Sequence, residues 1–522
     1  MSARGQWALL AGLGLILLVQ VLARPLLPID ETRYLSVAWE MHLSGDPFHL
    51  TRNFDSYSHK PPLLFWLINL VWMVTGVSEL AARLVGPVCA LVVVWGTGRL
   101  ASMLWPDAAG IALRAMAVLA GFPVFLIYGG ATMFDALLTL PVLLGIWVIW
   151  RMGQGERGLW ALFGVALAFG VYAKGPVILV HLAMPLILMR FWATDPPSMG
   201  AVIRGLGVSL LVALALVSVW LVPALVTGDA AFRHELLWTQ TAGRVAGGMA
   251  HDRPVWFLAV LVPVLLFPFA WSLRVWSGLR RVGWSDPAAR LCCIWGVSGL
   301  VLFSVISGKQ VHYLVPEFPA MALLIARALG AVDGRRRSLA PVLPLALGLG
   351  AMALGLGLIA VPQNMLLLAQ PAWPLVLFGG ACMLLAVLGW RLPVLGGHLA
   401  IGAGLAIGVH LLVAGTAIHS AYDARTISAR LSAAAPGGLA ITGMPYNAEF
   451  NFTARLTEPI AVLGSPAEVQ AWAASHPQGL LIGPVRQAGL IVDPVEVIAY
   501  GNRQIGLWPA ATLISRGSGP LG

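Results

Sequence analysis

The sequence predicts an all-α polytopic membrane domain followed by a small α/β domain. Three observations carry that prediction. Hydrophobic residues make up 59% of the chain and charged residues only 10%, a composition outside the range of soluble globular domains. Apolar runs approaching the roughly 20 residues needed to cross a bilayer recur from Trp7 to Ile418. From Ala421 onward no run is long enough to cross, and polar turns recur.

Taken in order, spans are predicted at 7–27, 80–104, 111–130, 134–150, 159–173, 176–192, 202–226, 254–276, 291–307, 313–330, 340–361, 373–390 and 394–418, thirteen in all. The first follows only Arg4 and has no small-residue cleavage site behind it, so it is read as a retained span. An odd number puts the termini on opposite sides, and the positive-inside rule chooses which. With the N-terminus inside and the C-terminus outside, the inner loops or their flanks carry Arg99, Arg114, Arg151, Arg157, Arg190, Arg204, Arg274, Arg280, Arg281, Arg290, Arg327, Arg335 to Arg337 and Arg391. Counting Leu63–Thr75 as a span would invert every later loop, so it is predicted to lie at the outer surface. The net charge of +10 then reads as an orientation signal and an affinity for anionic membrane lipid. Without a basic patch interleaved with aromatics, it is no nucleic-acid footprint.

The domains follow: a membrane domain over 1–419, with a first outer loop at 28–79 and a long one at 227–253, an outer α/β domain over 420–516, and a disordered tail at 517–522. Strand-like runs in the second domain are Leu439–Thr442, Ile460–Leu463, Gly479–Ile482 and Val495–Ala499. Between them Ser465-Pro466-Ala467-Glu468 is a capping box with proline at the first helical position. Cys89, Cys292, Cys293 and Cys382 sit in apolar segments with neither disulfide nor metal spacing, and read as packing residues.

The chain has three lysines, Lys60, Lys174 and Lys309, and the topology puts all three outside. Compact ammonium groups there suit phosphate or carboxylate. The first outer loop carries Asp30-Glu31-Thr32-Arg33-Tyr34 and then Ser58-His59-Lys60-Pro61-Pro62. Two carboxylates and a cation at a membrane surface are more than a helix N-cap at Asp30 requires. Here the chain resembles the GT-C integral membrane glycosyltransferases related to protein O-mannosyltransferases, and within them the lipid A aminoarabinose transferase branch, whose motif is Asp-Glu-x-x-Tyr. The resemblance continues through Trp66, Gly76-Val77, Ala81-Ala82-Arg83-Leu84, Asp135, Ala173-Lys174-Gly175-Pro176, Glu235 to Trp256, and Ser307-Gly308-Lys309-Gln310-Val311-His312-Tyr313 with Pro316. One departure is His59, where that branch usually has glutamate before the lysine.

The resemblance implies a polyprenyl-phosphate (undecaprenyl-phosphate) sugar donor and transfer at the periplasmic face of a cell inner membrane. 4-Amino-4-deoxy-L-arabinose or a related sugar would pass to lipid A, another glycolipid, a polysaccharide or a protein hydroxyl, with the enzyme a monomer. It assigns Lys60 to the donor phosphate, where charge grows as the glycosidic bond breaks, with Arg253, Lys174 and Lys309 as further cations. Asp30 is the candidate base for a hydroxyl acceptor, or an orienting charge if the acceptor is an ionised phosphate. Asp135 and Glu31 support it, and Tyr34, Tyr57 and Tyr313 are candidate sugar contacts. A divalent metal, zinc being suited to imidazole, would lie between His59 and His251. A location outside the cytoplasm independently favours a lipid-linked donor, since nucleotide sugars stay inside.

Two other classes compete. A transporter or lipid flippase would use intramembrane ionisable groups as a path, but it usually shows internal repeats and mid-span breaks; neither is visible. An assembly or sensor protein would leave the Asp30 and Lys60 motifs unexplained.

Overall fold

The computed structural model describes residues 3–239, 253–306, 308–332, 338–490 and 492–515. Among the described residues nine helices are long and apolar enough to cross a membrane, or ten if the bent pair Ile111–Leu119 and Pro123–Gly129 is one span. The chain is an integral membrane protein. Where spans were predicted near 254–276, the chain instead forms the short helix Phe257–Leu265, a 3-10 turn and a separate helix Leu273–Val282. Pro263 and Pro268 remove backbone donors there and break the run. The run predicted at 340–361 is helical only over Val342–Gly355. The predicted tail, 517–522, lies outside the described residues.

Two bends position the site. The pair Ile111–Leu119 and Pro123–Gly129 turns by 74° at Gly121-Phe122-Pro123, where a Cβ on Gly402 would fall 1.8 Å from the Gly121 carbonyl; only glycine permits that approach. The apolar stretch Trp160–Ile187 breaks at Gly175, φ +77°, between the spans predicted at 159–173 and 176–192. Lys174 meets Asp135 at the start of helix Phe134–Gly153, whereas Trp192 packs on Gly153 and stacks on Trp150 at its far end. The chain therefore reverses at Lys174-Gly175-Pro176, and the reversal carries the lysine.

After the first helix, α1 (Ala3–Ala23), the chain forms α2 (Asp30–Ser44), which opens on two acids and closes on a left-handed Gly45. Acids in a first turn face the positive end of the helix dipole. A two-stranded hairpin, β1 (Thr51–Arg52) and β2 (Asp55–Ser56), leads to the short apolar helix α3 (Leu63–Thr75). Tyr34, Phe65 and Phe134 meet edge-on, with ring centroids 4.9 to 6.3 Å apart, each such pair worth about 0.5–1.5 kcal/mol beyond its buried area. That aromatic triangle ties α2 and α3 to the start of helix Phe134–Gly153.

The C-terminal unit is a five-stranded mixed sheet of order β4-β3-β5-β7-β6, with β3 at Leu439–Thr442, β4 at Ala461–Leu463, β5 at Leu480–Pro484, β6 at Glu496–Tyr500 and β7 at Arg503–Pro509. The capping box forms, with Ser465 Oγ accepting from Glu468 N and Glu468 Oε2 accepting from Gly464 N. β7, which pairs antiparallel with both β5 and β6, is the strand that sequence reading missed. The unit docks on α2 through buried polar groups. Ser36 Oγ donates to Ala448 O and accepts from Phe452 N, and Asn53 exchanges two hydrogen bonds with the Ile460 backbone. Glu40 accepts from Asn53 N, Phe54 N and Asn451 Nδ2.

Candidate active site

Asp30 stands at the first position of α2 with its side chain 43% exposed, bridged to Arg33 at 2.5 Å. Tyr34, one turn on, donates to the same Asp30 oxygen at 3.1 Å. Burial, with the Asp30 charge beside it, pushes the Tyr34 hydroxyl well above the ordinary tyrosine range, so it stays a donor. Lys60, half-buried ahead of Pro61-Pro62, holds its ammonium 5.9 Å from the Tyr34 ring centre and 5.5 Å from that of Phe134, within cation–π range. Tyr57 is buried beneath the Arg52 guanidinium and stacks on His59 at 5.4 Å.

The second half comes from other segments. Asp135, its side chain 1% exposed, pairs with Lys174 at 2.5 Å, and the Lys174 ammonium lies 4.6 Å from the Tyr313 ring centre. His312 packs against Tyr313 and Tyr128. The charges of Lys60 and Lys174 both reach Asp135, and His312 lies within the fields of Asp30, Asp135 and both lysines. Five separated segments thus bring two carboxylates, two ammonium groups, the His312 imidazole and four phenols together. One acid is open to solvent and the other closed. Such a constellation can neutralise a phosphate, hold sugar hydroxyls and orient or deprotonate a nucleophile.

Lys309 is buried and donates from Nζ to the Arg253 carbonyl at 2.7 Å, while the Arg253 guanidinium lies over Phe257. These two therefore hold each other, a few residues before His312 and Tyr313. Glu31, expected to support catalysis, lies inside the fold. It is buried in a two-pronged pair with Arg24, Nη1 to Oε2 and Nη2 to Oε1, and also accepts from Thr132 N at 2.7 Å and Leu27 N at 3.1 Å. Every lone pair facing inward is engaged, so Glu31 anchors α2 to α1 and to the loop before Phe134. Arg83, which donates to the Arg24 carbonyl, belongs to the same anchor.

His59 Nε2 lies 3.0 Å from Glu235 Oε1, both side chains well exposed; His251 is outside the described residues. Among the described residues no group of three or more histidine, cysteine, aspartate or glutamate side chains lies within reach of one metal ion. Among the described residues His59 and Glu235 offer two donors, and a catalytic zinc site uses three protein ligands. Sequence reading also missed Arg33, Phe134, Tyr128 and the part His312 plays. The Arg33 signal was present: an i,i+3 partner to Asp30 on a helix.

The family model for dolichyl-phosphate-mannose-protein mannosyltransferases matches residues 59–222, which carry Lys60, Asp135 and Lys174. The undecaprenyl phosphate-α-4-amino-4-deoxy-L-arabinose arabinosyl transferase of Pseudomonas paraeruginosa is 30% identical over 345 residues, 63% of this chain and 60% of that one. The Enterobacter enzyme of the same name is 28% identical over 347 residues, 62% of this chain and 59% of its own. The match thus spans about three fifths of these relatives' length. The crystal structure of ArnT from Cupriavidus metallidurans bound to undecaprenyl phosphate superposes with a TM-score of 0.75 at 18% identity, covering 99% of this chain and 100% of that one. Its apo form gives 0.74 at 19%, covering all of both chains. The chain therefore has the fold of these two ArnT crystal structures.

Proposed function

We propose that the chain transfers a monosaccharide from an undecaprenyl-phosphate donor to a lipid acceptor at the periplasmic face of an inner membrane. The favoured reading is 4-amino-4-deoxy-L-arabinose passing to lipid A. The observation that carries it is the Asp30–Tyr34–Lys60 group opposite the Asp135–Lys174 pair, in the fold of a protein solved with undecaprenyl phosphate. Thirteen crossings with the N-terminus inside, a membrane domain over 1–419 and an outer domain over 420–516 belong to the same reading, as does a monomeric enzyme.

In it Lys60 receives the donor phosphate and offsets the charge that develops as the glycosidic bond breaks. Arg253 and Lys309 supply positive charge from the adjoining segment. Asp30, open and one hydrogen bond from Tyr34, meets the acceptor: it takes a proton from a hydroxyl, or orients an acceptor that arrives as an ionised phosphate. Lys174 keeps Asp135 charged at depth, and Tyr34, Tyr57 and Tyr313 line the space for the sugar. No step is routed through a metal.

Mass spectrometry of lipid A and other glycolipids, with and without the gene, tests the reading. A mass difference of one aminopentose on lipid A in cells carrying the gene is expected. Identical glycan masses in the two strains would overturn the transferase reading, and a different mass or acceptor would replace the sugar or lipid named here.

A further inference from the structure

The end of the bundle opposite the candidate site carries a second concentration of charge. Two segments run between the ends: Ile111–Gly129 from Arg114 up to Tyr128 beside His312, and Val311–Gly330 from His312 down to Arg327. At the far end Arg114, Arg274 and Arg327 converge, close enough that the charges of the last two act on the first. Arg114 lies against Gly330, where a Cβ would come within 2.7 Å of its Nη2. Arg274 donates to the carbonyls of Leu329 and Val332 at the end of the same helix.

One carboxylate answers these three cations among the described residues. Asp286 Oδ2 accepts from Arg327 at 3.3 Å and from Trp105 at 2.8 Å, and its Oδ1 caps the next helix at Ala289 N. Among the described residues neither Arg114 nor Arg274 is paired with a carboxylate, and the Nε of each is buried without a hydrogen-bond partner. Converging, half-buried guanidinium groups with open donors are a costly arrangement unless an anion completes it. Beside them, helix Leu273–Val282 turns Gly278 onto the Ala328 carbonyl and leaves Leu273 and Trp276 more than half exposed. Exposed tryptophan and leucine flanking a basic cluster at a bundle end mark the boundary between acyl chains and headgroups.

We propose that Arg114, Arg274 and Arg327 form a site for the phosphate headgroup of an anionic phospholipid, whose acyl chains lie along Leu273 and Trp276. The site is independent of the transfer reaction proposed above and holds whatever the chain transfers. Guanidinium forks match a phosphodiester through paired N–H donors, and apolar side chains beside them select a lipid over a free anion.

The test uses the full chain in detergent micelles, titrated with dioleoyl phosphatidylglycerol or dioleoyl phosphatidylcholine and read by native mass spectrometry. Wild type is expected to retain phosphatidylglycerol preferentially, and R114Q to weaken that retention about 5-fold, the effect of one cation near a membrane surface. R190Q, a change to an exposed arginine elsewhere, is expected to leave it unaltered. Equal retention of the two lipids by wild type, or equal losses in R114Q and R190Q, would overturn the site. Displacement of phosphatidylglycerol by millimolar inorganic phosphate would make it a free-anion site and overturn the lipid assignment. Should R114Q not be recovered folded, wild type alone decides: retention of phosphatidylglycerol, unlike phosphatidylcholine, must fall as salt rises from about 50 to about 500 mM.

Discussion

Replacing Glu31 by glutamine separates scaffold from chemistry at the start of α2. Burial pushes the Glu31 carboxyl up, but Arg24, Arg83 and the Thr132 N–H outweigh it and hold the group at about 2 against an ordinary 4.5. That difference corresponds to roughly 3 kcal/mol in favour of the ionised, paired state. It agrees in size with the cost of about 3–5 kcal/mol for removing one partner of a buried ion pair. E31Q leaves the Arg24 charge buried without a carboxylate, facing only neutral carbonyls, those of Gly130 and Pro25 among them, so its apparent Tm is expected to fall markedly. The double variant E31Q/R24M is expected to lose less than the sum of the single changes, because no charge is then stranded.

The pH dependence has a definite sign. A depressed carboxyl contributes its full stabilisation above about 4.5 and loses it as pH falls toward about 2; the part of the acid destabilisation of wild type that comes from Glu31 is expected to be absent in E31Q. Thermal unfolding of the purified chain, followed by tryptophan fluorescence from pH 7 to pH 3, reads both effects. Turnover is measured alongside, at a temperature where both proteins are folded. If E31Q melts with wild type but has lost turnover, Glu31 acts on substrate and the scaffold reasoning fails.

Lys60→Ala is expected to reduce transfer on the order of 10²–10³-fold, mostly in kcat, since a preorganised cation acts on charge that develops in the transition state; an unchanged kcat with intact donor binding would remove Lys60 from the phosphate. Lys174→Met leaves Asp135 buried without its ammonium partner and is expected to destabilise by about 3–5 kcal/mol. Adding Asp135→Asn should recover part of that loss in the same melting assay, and no recovery would mean the pair is not coupled. Glu40→Ala removes the acceptor of Asn53 N, Phe54 N and the Asn451 amide, each worth about 1–3 kcal/mol when left buried and unmet. Limited proteolysis should then cut the C-terminal unit faster than in wild type, and equal rates would show that the docking does not depend on Glu40.

Much of the scaffold was legible because the bilayer imposes a length on each apolar run. Reading failed where that length was not the deciding term. The stretch near 254–276 is apolar enough but is broken by proline into two short helices. Asp30, Lys60, Asp135 and Lys174 were findable since ionisable residues are scarce in a chain of this composition and stand out against it. Glu31 shared that signal, and the structure gives it an anchoring pair with Arg24. Its partner Arg24 reads only as the end of a first span, and nothing local tells an anchoring acid from a reacting one. Contacts between distant segments were invisible altogether. Ser36, Glu40 and Asn53 are ordinary loop and helix residues until the sheet domain, some 400 positions away, closes over them.

The most direct test of the central claim is reconstituted transfer. The purified chain is incubated with undecaprenyl phosphate-α-4-amino-4-deoxy-L-arabinose and lipid A, and the lipid A product is weighed by mass spectrometry, with Asp30→Asn in parallel. One added aminopentose with wild type is the expected result. The Asp30→Asn rate then indicates which acceptor oxygen is used, falling about 10²–10⁴-fold for a hydroxyl and far less for an ionised phosphate. Folded wild-type protein that leaves lipid A unmodified, with the donor intact, would contradict the account.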